Sequence, residues 1–63
     1  MADANANAKM VLAERVRKEC IAAAQQGYEN AALSGLCGEG AFEAAISAIQ
    51  LIDLEALVRQ HHM

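Results

Sequence analysis

The sequence predicts an all-α protein in which a long helix, a glycine-rich turn, a second helix and a short C-terminal helix form a helical hairpin. Alanine occupies 15 of the 63 positions, and proline is absent. Alanine favours helices because its side chain loses no rotamer freedom there. Because proline is absent, every residue has a backbone N–H that can take part in helical hydrogen bonds. The larger apolar residues recur at spacings of three and four, which is the period of an amphipathic helix.

The first helix is predicted over residues 7–33, where small and apolar residues follow one face. Asp3, Asn5 and Asn7 are each suitable N-caps, so the start stays open among them and residues 1–7 are expected to be frayed. The predicted face consists of Leu12, Val16, Cys20, Ala23, Ala24, Gly27, Tyr28 and Ala31.

The end of this helix is predicted at Ser34-Gly35-Leu36. Glycine readily adopts the left-handed conformation after a helix, and the apolar residue that follows can fold back onto the last turn. Gly38 and Gly40 are expected to keep the connection loose until a second helix begins at Ala41. That helix carries Phe42, Ala45, Ile46, Ile49 and Ile52 at spacings of three and four.

A last short helix is predicted after Asp53, which is a suitable N-cap, with Leu54, Leu57 and Val58 as its apolar residues. Ile52 before the cap could pack on Leu57 as a hydrophobic staple. The pattern leaves two questions open. Asp53 either breaks the second helix or only kinks it, and the last segment either extends along the first helix or folds across it.

The shortage of bulky side chains predicts self-association. Removing the alanines from the apolar residues leaves 20 larger ones, and a chain of this length buries only about 60% of its unfolded surface. The chain is therefore a single domain, residues 1–63, and a monomeric hairpin of this kind would be unstable. We expect a homodimer of two hairpins in a four-helix arrangement with two-fold symmetry. The residues expected in its core or interface are Leu12, Val16, Cys20, Ala24, Gly27, Phe42, Ile46 and Ile49.

Charge is distributed unevenly along the chain. Residues 1–18 carry a net charge of +2, residues 19–58 contain no Lys or Arg and carry −6, and the whole chain carries −3. A nucleic-acid partner is not expected, because phosphate binding requires a basic stripe rather than a few basic residues beside an acidic majority. The polarity is compatible with oppositely charged ends meeting in an antiparallel assembly, and also with a solvated surface.

Neither a membrane segment nor a targeting segment is predicted. Charged or amide residues interrupt every apolar run well before the roughly 20 residues that a membrane span requires. Residues 1–8 have neither the basic nor the strongly apolar region of a secretory signal. A cytoplasmic location is therefore expected, and there Cys20 and Cys37 would be reduced thiols.

The turn formed by residues 35–41 is the most distinctive motif. Glycines before a helix N-terminus can bind phosphate through backbone N–H groups, and acetyltransferases of the GNAT superfamily use a Gly-x-Gly loop in this way. Gly38-Glu39-Gly40 matches part of that loop, but Glu39 puts negative charge where a pyrophosphate would lie and also stabilises a helix start without a ligand. A structural turn is the favoured interpretation. The candidate binding residues are Tyr28, Gly38, Glu39, Gly40 and Glu43.

Cys37 is the candidate reactive thiol, because the dipole of a helix N-terminus favours a thiolate, although no base lies near it in sequence. Zinc sites usually contain closely spaced Cys or His pairs, and this chain lacks that spacing, so no metal site is predicted. The soft ligands present are Cys20, Cys37, His61 and His62. No catalytic residue is assigned.

Five segments, residues 20–24, 28–29, 35–37, 39–45 and 51–54, carry a resemblance that covers about two thirds of the chain. The chain resembles short, functionally uncharacterised bacterial helical proteins, some of which are labelled acetyltransferases. The resemblance implies a bacterial, cytoplasmic protein in which the turn matters. A chain of 63 residues has no room for the central sheet on which the GNAT fold builds its acetyl-CoA site.

Two functions follow as expectations. The first is a non-enzymatic helical protein-interaction module that self-associates, needs no cofactor and presents an acidic surface to an unknown protein partner. The alternative is a small acyl-CoA- or nucleotide-binding protein, or an acetyltransferase-associated one, in which residues 35–41 would hold acetyl-CoA.

Overall fold

The fold is a helical hairpin with a short third helix. The computed structural model describes residues 4–61, and in this range the chain forms α1 (Ala4–Leu33), α2 (Gly38–Gln50) and α3 (Leu54–Gln60), without a strand. α2 packs back along α1, and α3 lies beside the first half of α1. The molecule is a flat rod of 50 × 22 × 13 Å. The predicted all-α class and the packing of the first helix on the second are confirmed.

The first helix begins earlier than its pattern predicted. Residues 4–7, which were expected to be frayed, belong to α1, because the alternating alanines near its start are strong helix formers. Asn7 is therefore an interior helical residue and not an N-cap. Residues 1–3, which include the predicted cap Asp3, and residues 62–63 lie outside the described range.

The predicted end of the first helix is confirmed. Gly35 has a φ of +91°, a conformation that residues with a side chain rarely adopt. The N–H of Gly35 donates to the carbonyl of Ala32, and the N–H of Leu36 donates to the carbonyl of Ala31, both at 3.0 Å. These two bonds form a Schellman motif, which satisfies carbonyl groups that the helix end would otherwise leave unpaired.

The second helix begins earlier than its pattern predicted. α2 begins at Gly38 rather than Ala41, so Gly38 and Gly40 form its first turn instead of a loose connection. Cys37 is the N-cap, and its carbonyl accepts from the N–H of Ala41 at 2.8 Å. Glu39 in the first turn favours this early start because its carboxylate interacts with the positive end of the helix dipole.

At its other end, α2 stops at Gln50, and Asp53 breaks the helix rather than kinking it. The side chain of Asp53 accepts a hydrogen bond from the N–H of Ala56 at 3.0 Å and so caps α3. α3 then extends along α1 instead of folding across it. Leu57 is buried, and Arg15 Nη2 on α1 donates to Gln60 Oε1 at 2.9 Å.

The interface between α1 and α2 is built from very small residues. A Cβ placed on Gly27 would lie 2.9 Å from the Cβ of Ala48 and 3.0 Å from the carbonyl oxygen of Ala44, so the helices are in contact at their backbones. Such close approach is available only where side chains are minimal. Within residues 6–61 the buried side chains are Ala31, Ala41, Ala45 and Leu57.

The two aromatic residues correct the predicted core. Tyr28 was predicted on the packed face of the first helix and Phe42 in the core or interface, but they are 45% and 62% exposed. Glycine and alanine hold the two helices so close that no space remains between them for a ring. The aromatic side chains are therefore displaced to one flank of the hairpin.

Replacing Gly27 with alanine is expected to lower the free energy of unfolding by about 1 kcal/mol, because overpacking against Ala48 and Ala44 costs about 1–3 kcal/mol and exceeds the gain in helix propensity of about 1 kcal/mol. Urea denaturation at one fixed protein concentration measures the change. Gly38→Ala is the matched control, because a Cβ there meets no atom within 4 Å. Equal stability of the two variants would contradict the close approach.

Replacing Asp53 with alanine is expected to remove the cap of α3 and to cost about 1 kcal/mol. Hydrogen exchange of the Ala56 amide should then accelerate about fivefold. Asp53→Asn keeps a side-chain oxygen and should leave that rate nearly unchanged. If both substitutions accelerated exchange equally, the hydrogen bond would not be the cause.

Candidate functional site

An open groove of about 390 Å³ lies between α1 and α2. Most of its surface is apolar, and its large apolar side chains are those of Tyr28, Phe42 and Ile46. Ile46, which is 41% exposed, lies one helical turn after Phe42, so both project from α2 on the same side. The groove is lined by Ala24, Gln25, Tyr28 and Glu29 of α1 and by Phe42, Ala45 and Ile46 of α2.

The small residues of the interface determine the shape of this groove. Ala45 is buried between the helices, and Ala24 is half-buried on α1. Because neither has bulk, the floor of the groove lies close to the helix backbones while Tyr28 and Phe42 form higher walls. Gln25 and Glu29, one turn apart on α1, supply its polar edge. The sequence prediction missed both of these polar residues, although they lie next to Ala24 and Tyr28.

Other large apolar side chains are also exposed outside the groove. They occur on α1, on α3 and at both helix connections, so the hairpin leaves most of its bulky residues unburied. These residues are Met10, Val11, Ile21, Leu33, Leu36, Leu51, Leu54 and Val58. A second concavity, of about 480 Å³, is lined by residues of α1 alone, namely Met10, Val11, Glu14, Arg15 and Lys18.

The residues predicted for the core or interface fall into two groups. Phe42 and Ile46 are exposed in the groove. The remaining ones are half-buried, namely Leu12, Val16, Cys20, Ala24, Gly27 and Ile49.

The predicted binding residues do not converge on one site. Tyr28 lies in the groove, whereas Gly38, Glu39, Gly40 and Glu43 occupy the first two turns of α2 and do not line it. Both carboxylates are exposed, as is Gly38, and Gly40 is half-buried. The turn and the groove are therefore separate features of the hairpin.

Cys37 is exposed at the start of α2 and forms no side-chain cap hydrogen bond. The backbone N–H of Gly40, and next that of Glu39, nevertheless stabilises the negative charge of a thiolate and lowers the pKa of Cys37 below its ordinary value. Cys20 is half-buried in the middle of α1, and both thiols are free.

The described residues contain no group of three His, Cys, Asp or Glu side chains that could hold a metal ion. His61 is half-buried and caps the end of α3, while the predicted soft ligand His62 lies outside the described range. Among residues 4–61, no helix is both long enough and apolar enough to cross a membrane.

No protein-family model, curated protein or solved structure matches the chain significantly. The resemblance to short bacterial helical proteins, and the acetyltransferase label that some of those proteins carry, therefore stay predictions. The candidate site rests on the geometry of the groove alone.

The thiol of Cys37 is expected to become nucleophilic at lower pH than an ordinary thiol, because the N–H groups of Gly40 and Glu39 stabilise its thiolate only in the folded chain. In a Cys20→Ser variant, the rate of alkylation by iodoacetamide should rise with pH at a lower midpoint when the protein is folded than when it is unfolded in urea. The same midpoint in both states would contradict the effect of the helix start.

Proposed function

We propose that the chain is a non-enzymatic helical interaction module that self-associates through the groove between α1 and α2. The occupant of the groove on each chain is the matching surface of a second copy. The observation that carries the proposal is the combination of a minimal core with an exposed apolar surface. Only one of the buried side chains in residues 6–61 is larger than alanine, while Tyr28, Phe42 and Ile46 are exposed together.

The energetics of a small chain support this proposal. Apolar burial contributes about 25 cal/mol per Å², and an alanine side chain offers little apolar area to bury. Chains of fewer than about 70–80 residues seldom obtain enough stability from one core and commonly gain it from oligomerisation, disulfides or metals. Both cysteines are free, and the described residues offer no cluster of metal ligands. Of these three sources of additional stability, association of two hairpins is the one that remains.

The composition of the groove supports a protein partner rather than a small polar ligand. Interface cores are enriched in aromatic and large aliphatic side chains, and their rims are polar. Tyr28, Phe42 and Ile46 are the aromatic and large aliphatic side chains of the groove. Gln25 and Glu29 form its polar rim. A self-complementary apolar patch of this kind suits the isologous contact of a two-fold dimer.

The proposed module remains acidic after it self-associates, because each chain contributes a net charge of −3. Glu39 and Glu43 are exposed at the start of α2 and lie outside the groove. We propose that this acidic surface is available to a further protein partner with basic side chains.

Phe42→Ser is expected to raise the dissociation constant of the dimer by about 20- to 500-fold. A large side chain contributes about 1.5–3 kcal/mol when it is fully buried, Phe42 is 62% exposed in the single chain, and each dimer contains two copies. Sedimentation equilibrium over a concentration series measures the constant. Circular dichroism at high concentration checks that the variant keeps its helices.

Leu33→Ser is the matched control, because Leu33 is an exposed apolar residue that does not line the groove. Its dissociation constant should stay within a few-fold of the original. A wild-type chain that is monomeric at micromolar concentration and still unfolds cooperatively would overturn the proposal.

Acyl-CoA or nucleotide binding at the turn has less support. Glu29, Glu39 and Glu43 place three carboxylates near the turn, where they would repel a pyrophosphate. An amide-resolved NMR titration with acetyl-CoA tests this alternative directly. Saturable shifts confined to Gly38, Glu39 and Gly40 would favour it over the interaction module.

A further inference from the structure

The third helix is attached to the hairpin through α1 alone. Within residues 4–61, α3 packs on α1 and not on α2. Leu57 is its one buried side chain, and the hydrogen bond from Arg15 to Gln60 lies at the surface. A helix of seven residues is too short to be stable by itself in water. α3 therefore depends on being docked, and few interactions hold it to its own chain.

The part of α1 beneath α3 is an apolar surface that α2 does not reach. Ala48 of α2 lies against Gly27, and α2 ends two residues later, about 3 Å further along. Val16 precedes Gly27 by 11 residues, which is about 16 Å along α1. Leu12 and Val16 are nevertheless half-buried, so α3 is the element that covers them. We call these two residues the α3 seat.

Exposed apolar side chains surround the link between α2 and α3. Leu51, the first residue after α2, is 83% exposed. Leu54 and Val58, one turn apart on α3, are each more than half exposed. The cap that Asp53 forms with the N–H of Ala56 is local to α3, so it is kept when α3 moves as a unit. The link thus combines a movable helix with apolar surface that the single chain leaves unburied.

We infer that α3 is an exchangeable element, which docks on the α3 seat of its own chain in the single molecule and on the seat of a second copy in a reciprocal two-fold dimer. The second copy supplies the occupant because the seat already holds a helix of this sequence. The inference goes beyond the proposed groove contact and does not depend on it, because neither α3 nor its seat lines the groove.

Exchange conserves the contacts of α3 and adds new ones. Burial of Leu57 and the hydrogen bond from Arg15 to Gln60 are the same whether α3 docks on its own chain or on the other. The two forms therefore differ in the entropy of association and in what surrounds the link. In a reciprocal exchange the two chains cross at their links, so Leu51 and Leu54 of one copy meet those of the other. Their burial favours the exchanged form.

Two complementary variants of the full chain test the exchange. Leu12→Ala with Val16→Ala gives a seat variant, in which the surface beneath α3 is lost. Leu57→Ala removes the side chain that α3 buries. Alanine preserves helix propensity at all three positions. Each variant alone has no intact contact between α3 and a seat. A mixed dimer has one, formed by α3 of the seat variant and α1 of the Leu57→Ala chain.

Hydrogen exchange of the α3 amides in an isotope-labelled seat variant is the readout. Excess unlabelled Leu57→Ala chain should slow exchange at Val58 and Arg59 several-fold, because α3 of the labelled chain gains an intact seat on the other copy. Unlabelled seat variant is the matched control and should give no slowing, because it offers no seat. The absence of slowing with the Leu57→Ala chain, or equal slowing with both chains, would overturn the exchange.

Amides of α2 verify that the hairpin stays folded in both variants. Exchange at Ala45 and Ala48 should match that of the original chain, because neither variant alters the contact at Gly27. If these amides lost their protection, α3 and the hairpin would unfold together, which would also overturn the inference. Adding Phe42→Ser to both chains removes the proposed groove contact, and the slowing at Val58 should persist. The exchange and the proposed function can therefore fail separately.

Discussion

The contact between α1 and α2 is the constraint on which the rest of the hairpin depends. Gly27 has no side chain, and Ala44 and Ala48 approach it so closely that an added Cβ would collide with them. Helices at this separation have no room between them for large side chains. The buried residues between these two helices are therefore alanines, with Ala41 only 1% exposed, and most bulky apolar residues are displaced to the flanks. The groove and its apolar walls are a direct consequence of that displacement.

The same constraint explains why α3 is attached by a few specific interactions. An alanine interface buries little apolar area, so it provides only a small part of the free energy that opposes chain entropy. α3 depends on the Asp53 cap, on the burial of Leu57 and on the hydrogen bond between Arg15 and Gln60. Its return along α1 also brings Glu55 and Arg59 beside the half of α1 that contains Arg15.

The glycine-rich turn has a sufficient structural explanation in the way the two helices are joined. Gly35 supplies the positive φ that the end of α1 requires, and Glu39 interacts favourably with the start of α2. Cys37 gains its lowered pKa from the same helix start. The turn therefore combines a helix stop, a helix start and a thiol of lowered pKa without converging on the groove, where Tyr28 and Phe42 provide the apolar surface.

The sequence alone determined the all-α class, the stop at Gly35 and the cap at Asp53, because these depend on local propensity and on hydrogen bonds between neighbours. It also indicated that the chain has few bulky apolar side chains with which to form a core. Its periodicity identified Phe42 as apolar and helical but could not reveal that the side chain is exposed, since exposure depends on how closely a second helix approaches. Only the tertiary structure decided that approach, because a clash at Gly27 involves residues that are distant in sequence.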